Sequence, residues 1–390
     1  MLKRGLSALF ILSCLNPGFG LVRPLVVNRE RGLSNVRAGL HLRRLGERSM
    51  AICAAPTSVM DSVGSIATKA LSFGSTVWDF SRPHTVVGSL FSGVALFMFA
   101  CPGQWGSALL WQKLLPTLAP ALLMNLYITG LNQLTDVDID KINKPYLPVA
   151  AGALKHSHGT AIVAGSLLMS LFLSRTASWP MKFVLLGSCI LGSLYSLPPF
   201  RLKRFPLLAA FSIFVVRGAL VNIGFFLEAK LQVVGVREIV NEGILAACVR
   251  FPEVVALATF FSLFGIVIAV IKDVPDVRGD KMYAIPSFSV QFGARTAFHF
   301  GWNLLVALLG GSGISFLGSI ALSKNPIVAL GLQRVVARTV LGIALSVMAV
   351  SVRRMSLKVD AEDPKAVFAN YMVLWNYFYG CYGLLPLAAL

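Results

Sequence analysis

Two short acidic stretches stand out in a chain that is otherwise 56% hydrophobic and only 13% charged. The first reads Asn132-Gln-Leu-Thr-Asp136-Val-Asp138-Ile-Asp140-Lys141, the second Lys272-Asp273-Val-Pro-Asp276-Val-Arg-Gly-Asp280-Lys281. Asn132, Asp136 and Asp140 step by four, so a helix continuing through them would align three oxygens along one side. Asp276 and Asp280 repeat the step with Asp273 one turn earlier, while Pro275 and Gly279 predict a kinked or broken helix there. Carboxylates crowded in this way repel unless a cation joins them, and oxygen ligands without histidine or cysteine suit Mg²⁺. Mg²⁺ seldom takes an all-protein cage; it prefers one or two carboxylates together with water and substrate phosphates. Two such clusters facing each other across a bundle are therefore expected to clamp a diphosphate between two or more Mg²⁺ ions. Lys141, Lys144, Arg201, Lys203 and Lys272 supply charge for the phosphate oxygens. Asp138, out of phase by two, is expected in solvent or behind the ligands.

Positioning these residues falls to nine apolar segments, near 84–101, 114–134, 159–174, 181–197, 206–227, 254–272, 296–321, 326–350 and 367–388. Each is roughly the 17 to 25 residues that ~30 Å of hydrocarbon demands, and none has the alternation of a membrane barrel strand. The expected fold class is all-α and polytopic, about nine transmembrane helices in a bundle around a central lipid-accessible cavity. A mean hydropathy of +0.74 and the scarcity of charge, against about 25% in soluble domains, exclude a water-soluble monomer and a disordered chain alike. With nine spans, the loops 135–158, 198–205, 273–295 and 351–366 share the side of the mature N-terminus. That set is the richer in Lys and Arg, so by the positive-inside rule it looks toward stroma, matrix or cytoplasm. Both acidic clusters fall on this face, at the ends of the second and sixth helices. Solvated loop acids balancing loop bases would account for one cluster; two with matching spacing on one face favour a site.

The formal charge of +18, from 35 Lys and Arg against 17 Asp and Glu, is concentrated at the N-terminus and in short loops. That is a topology signal and does not describe a phosphate-binding groove for nucleic acid. Residues 1–55 alone hold nine Lys and Arg with two acids. They run from Lys3-Arg4 through an apolar stretch, Leu6 to Leu15, to Asn16-Pro17-Gly18, and then into an Arg-, Ser- and Ala-rich segment. This is the order of a secretory signal followed by a transit peptide, or else a plain organelle presequence with an apolar start. Residues 1–55 are accordingly expected to be a cleavable leader, 56–79 a linker or amphipathic segment, and 80–390 the membrane domain. Six cysteines lie far apart without CxxC or CxxH spacing and predict neither a disulfide framework nor a zinc site.

From about residue 80 onward the chain closely resembles the UbiA-type intramembrane prenyltransferases, and within them the homogentisate prenyltransferases of tocopherol and plastoquinone synthesis. The resemblance rests on Phe80-Ser-Arg82-Pro-His84-Thr, on the first acidic cluster extended through Asn143-Lys144-Pro145-Tyr146-Leu-Pro148 with Ala151-Gly152, on Tyr195-Ser-Leu-Pro198-Pro199-Phe-Arg201-Leu-Lys203-Arg204-Phe205-Pro206, on the second acidic cluster, and on Leu374-Trp375-Asn376-Tyr-Phe378-Tyr379. It implies Mg²⁺ held by Asn132, Asp136, Asp140, Asp276 and Asp280, with Asp273 beside them, and ionisation of an allylic diphosphate. An aromatic ring then captures the allyl cation, and for homogentisate the carboxylate leaves as CO₂. Tyr195 is placed near the diphosphate by the family pattern. Arg82 is expected to hold the acceptor carboxylate or the diphosphate, or to anchor at the interface. His84 and His156, at helix edges, read as solvated histidines, and Trp375, Tyr377 and Tyr379 as packing or belt residues.

The Gln133 position and the Lys-Asp-x-Pro-Asp-x-x-Gly-Asp form resemble the homogentisate group more than chlorophyll synthases or 4-hydroxybenzoate prenyltransferases. Val216-Arg217-Gly218 and Asn222-x-Gly224 resemble solanesyl-using and phytyl-using members alike, so phytyl, geranylgeranyl and solanesyl donors stay open. The expected partners are a prenyl diphosphate, a small aromatic acceptor and membrane lipid, with no nucleic acid and no obligate protein partner. The expected place is a plastid membrane, envelope or thylakoid, with the mitochondrial inner membrane as the alternative. Competing readings are another aromatic acceptor, such as 4-hydroxybenzoate, a flavonoid or a coumarin, and an ion-coupled transporter. Against the transporter stand the helix-end position of the acids and the lack of an inverted repeat.

Overall fold

The computed structural model describes residues 71–323 and 325–390. The expected leader, 1–55, and most of the segment 56–79 lie outside the described residues. Among the described residues the chain is helical with no strand. The long helices are α1 (Pro83–Ala100), α2 (Ala108–Thr135), α4 (His156–Ser174), α5 (Trp179–Ser196), α6 (Pro206–Val234), α8 (Pro252–Asp273), α11 (Ala294–Ala321), α13 (Leu332–Ser356) and α14 (Pro364–Leu384). Short helices sit between them: α3 (Val137–Asn143), α7 (Ile239–Arg250), α9 (Val277–Met282), α10 (Phe288–Phe292) and α12 (Pro326–Leu330).

Seven of the long helices have the length and apolarity to cross a membrane. The segments expected at 181–197 and 367–388 are helical as α5 and α14 but are not among the seven, so among the described residues seven candidate spans stand against the nine expected. The eighth segment, expected at 326–350, is displaced. Gly331, with φ of 80°, separates α12 from α13, and the span runs from Leu332 to Ser356. Large apolar side chains such as Leu186, Ile190, Phe211 and Val350 remain exposed on the outer helix faces, as a bundle solvated by lipid requires.

Without a hydrophobic force between helices in lipid, close approach depends on small residues. A Cβ on Gly130 of α2 would come within 2.6 Å of Val163 of α4, and one on Gly218 of α6 within 2.3 Å of the Ser262 backbone of α8. Pro116 and Pro120 interrupt the backbone ladder of α2, and Ser170 of α4 donates its hydroxyl to the Pro120 carbonyl at 2.8 Å. α6 is α-helical at Pro206–Ile213 and Val221–Ala229 but takes π-helical turns at Phe214–Leu220 and Lys230–Val234. These helices run up and down so that the start of α1 and the ends of α2, α5 and α8 meet at one end of the bundle.

Candidate active site

The expected continuous ladder through the first cluster is broken. α2 ends at Thr135, Asp136 takes a non-helical conformation (φ −117°, ψ 17°), and α3 restarts at Val137. The second cluster has the same form: α8 ends at Asp273 and Asp276 precedes α9, with Pro275 between them. Each acidic segment is thus a helix C-terminus, a break and a short helix. The C-terminal carbonyls add partial negative charge to the carboxylates, which makes both ends attractive to cations.

These two segments touch. Lys144, just beyond α3, pairs with Asp276, and the Gly279 amide donates to Asn143 Oδ1 at 2.8 Å. A Cβ on residue 279 would lie 2.4 Å from that oxygen, so only glycine admits the contact. Lys203 Nζ lies 2.5 Å and Arg201 Nη2 3.3 Å from Asp136 Oδ1, and both reach Thr135 as well. Arg82 donates to Asn132 Oδ1 at 3.1 Å while Asn132 donates to Asp136 at 3.0 Å. Lys272 pairs with Asp273 at 2.8 Å and donates to the Tyr195 hydroxyl at 3.3 Å. Arg82 and Arg201 hold left-handed backbone angles, φ of 54° and 38°, a conformation that costs a non-glycine residue about 1–3 kcal/mol and clusters at functional sites.

Asn132, Asp136, Asp140, Asp273, Asp276, Asp280, Arg82, Lys144, Tyr195, Arg201, Lys203 and Lys272 are therefore brought into one layer. Asp138 and Lys141 are not: they pair with each other at 3.0 Å in solvent.

Asp140, Asp276 and Asp280 are buried. Burial first, then the Asp136 and Asp276 charges, pushes Asp140 up to about 6 against the pull of Lys144 and Arg82. Burial and the neighbouring Asp273 and Asp276 push Asp280 up to about 7. Burial lowers Lys203 in spite of Asp136, whereas at Lys144 the Asp276 and Asp140 charges outweigh burial and raise it. Among the described residues no three His, Cys, Asp or Glu side chains close around a metal by themselves. The donor set nevertheless fits Mg²⁺ shared with a phosphate. It is all oxygen, and the Asp140 Oδ2 atom is buried without a hydrogen-bond partner, which is costly unless a cation approaches.

Past this layer lies an aromatic one. The expectation of a solvated His84 is corrected: its ring packs 5.0 Å from Trp375 and 6.2 Å from Tyr371, and its carbonyl accepts the Tyr379 hydroxyl at 2.6 Å. Arg217 stands over Trp375 and Phe378 beside a cavity. Motif reading passed over Arg217 and the Asn143 bridge as site residues. A lone arginine inside an apolar run was the available signal for the first; nothing local marks the second.

The fold and this layer define a polytopic membrane protein with two facing, cation-hungry acidic segments at one end of the bundle. The UbiA prenyltransferase family model matches residues 84–377, and the chain belongs to that family. It is 39% identical over 317 residues to homogentisate phytyltransferase 1, chloroplastic, of Arabidopsis thaliana, covering 79% of this chain and 73% of that one. It is 30% identical to the homogentisate solanesyltransferase, chloroplastic, of the same plant, with 80% and 76% covered. A solved UbiA homolog from Archaeoglobus fulgidus, bound to DMAPP and Mg²⁺, superposes with a TM-score of 0.53 at 15% identity, covering 81% of this chain and all of that one.

Proposed function

We propose that this enzyme transfers a prenyl group from its diphosphate to homogentisate, with loss of the carboxylate as CO₂, in a plastid membrane. The observation that carries the reading is the pair of interlocked acidic segments in a chain whose relatives, named for phytyl and solanesyl transfer, share homogentisate as acceptor. The Archaeoglobus homolog, bound to a prenyl diphosphate and Mg²⁺, supports the same ligand pair here. Asn132, Asp136, Asp140, Asp276 and Asp280, with Asp273 beside them, would hold two or more Mg²⁺ ions together with the diphosphate. Bound there, the metal supplies charge withdrawal from the leaving group, which eases ionisation of the allylic C–O bond.

The chain's own residues do the rest. Lys144, Lys203, Arg201 and Lys272 turn their donors from carboxylates, and Arg82 from the Asn132 amide oxygen, to phosphate oxygens and hold the leaving group. The Tyr195 hydroxyl, within reach of Lys272, faces the same layer. His84, Tyr371, Trp375 and Phe378 pack together behind it, exclude water and offer ring faces to developing positive charge. Residues 1–55 serve as the plastid address, and the acidic face looks to the stroma.

The test is an assay of membranes carrying the full chain with Mg²⁺, homogentisate, and phytyl, geranylgeranyl and solanesyl diphosphates in competition. A Mg²⁺-dependent, decarboxylated prenylquinol identified by mass is expected, its side chain naming the donor. Prenylation of 4-hydroxybenzoate or another phenol without any homogentisate product would overturn the acceptor.

A further inference from the structure

Arg217 is a cation that this reaction leaves without a task. It sits in the π-helical turn Phe214–Leu220 of α6, within a membrane-spanning helix, where a charged residue marks a functional site by default. A π-turn is likewise a feature retained at functional positions. Among the described residues its guanidinium takes part in no ion pair and no hydrogen bond; it lies 5.0 Å from the Trp375 ring centre and 5.6 Å from that of Phe378. The ionisable groups around it are His84, Tyr371, Tyr379 and Tyr382, with no carboxylate. Space beside it is kept by Gly88, where a Cβ would stand 3.5 Å from Arg217 Nη1 and 3.1 Å from Trp375. The head opens onto a cavity whose wall also carries Ser92, Asn125, Ser188 and Tyr382.

A cation so placed is complementary to an anion, and the reaction offers two. The diphosphate already has five cations in the acidic layer. Arg217 lies deeper: Gly88 is six residues beyond Arg82, about 9 Å along α1, with His84 and Trp375 between. It would repel an allyl cation, so it does not serve the donor's reacting carbon. The remaining anion is the carboxylate of the aromatic acceptor, whose ring also suits a cavity lined by the rings of Phe225, Phe378 and Tyr382. We propose that Arg217, aided by Asn125 and the cavity serines, docks the acceptor carboxylate and so selects carboxylated hydroquinones over plain ones. Arg82, spent on Asn132 in the diphosphate layer, is thereby released from that role. This inference rests on the homogentisate reading above.

R217Q and R217K are purified and compared with wild type on homogentisate and on methylhydroquinone, the same ring with methyl in place of the carboxymethyl group, at saturating prenyl diphosphate. The ratio of kcat/KM for homogentisate over methylhydroquinone is expected to fall about 10- to 100-fold in R217Q, the worth of a charged hydrogen bond. The drop should appear in the homogentisate KM, and R217K should lose less. Equal losses on both acceptors, or a change confined to the prenyl diphosphate KM, would show a packing or donor role and overturn the proposal. Should R217Q not yield folded protein, R217K decides by the same ratio. A wild type that uses homogentisate while the ratio survives substitution sinks the docking role alone; a wild type that uses methylhydroquinone and never homogentisate sinks both readings.

Discussion

Asp136 accepts from Lys203, Arg201 and Asn132 at once, so it is the most heavily contacted carboxylate of the layer. D136N keeps its size and removes the charge that gathers cations. Turnover is expected to fall by more than about 100-fold, beyond the usual cost of losing a supporting contact, with membrane insertion unchanged; near-normal activity would dissolve the metal assignment. Asp280 gives a pH signature in the metal-free protein. Its pKa is raised from about 4 in the unfolded chain to about 7 in the fold, so the folded state binds the extra proton between those values. Stability from this group is full at the acid end, declines as pH rises toward about 7 and is flat above. Tm measured after chelation should therefore drop between about pH 4 and about pH 7, and D280N should narrow the drop; an unchanged drop would assign it elsewhere. These acids were legible in the sequence because crowded carboxylates are rare in so apolar a chain. Arg217 and His84 were not, since their meaning lies in the α14 rings that face them from far along the chain.

At the level of elements, two glycines separate site assembly from bundle packing. G279A displaces Asn143 from the α9 amide and should lower activity while Tm stays near wild type. G218A drives a methyl into the Ser262 backbone and should destabilise by about 1–3 kcal/mol, read as a lower Tm in detergent. If G279A lowers Tm as much as G218A does, the Asn143 bridge is a folding contact and not a device of the site. Hydropathy located the long helices to within a few residues at most ends, because a span's length is dictated by the hydrocarbon. It missed the break at Asp136, where no proline or glycine warns of it, and the turn at Gly331, which an averaging window smooths over. It also missed α7, whose mix of Glu242, Arg250 and apolar residues carries no span signal.

For the molecule as a whole, the up-and-down path places the acidic layer on one side and the α6–α7 connection on the other. Cysteines introduced at the exposed positions Asp138 and Met282 should be labelled by an impermeant reagent from one side of sealed membranes, and one at Arg237 from the opposite side, each read above the native cysteine background. Labelling of all three from one side would refute the topology. The ion pairs that close the layer also have a consequence for binding. Lys144 and Lys203 would each give up a carboxylate partner, Asp276 or Asp136, if a bare divalent ion took it, whereas a metal arriving with the diphosphate would offer each lysine a phosphate oxygen in its place. Binding should accordingly be coupled: the prenyl diphosphate is expected to bind far more tightly with Mg²⁺ present than without it, and once the diphosphate leaves, Lys144 and Lys203 return to Asp276 and Asp136.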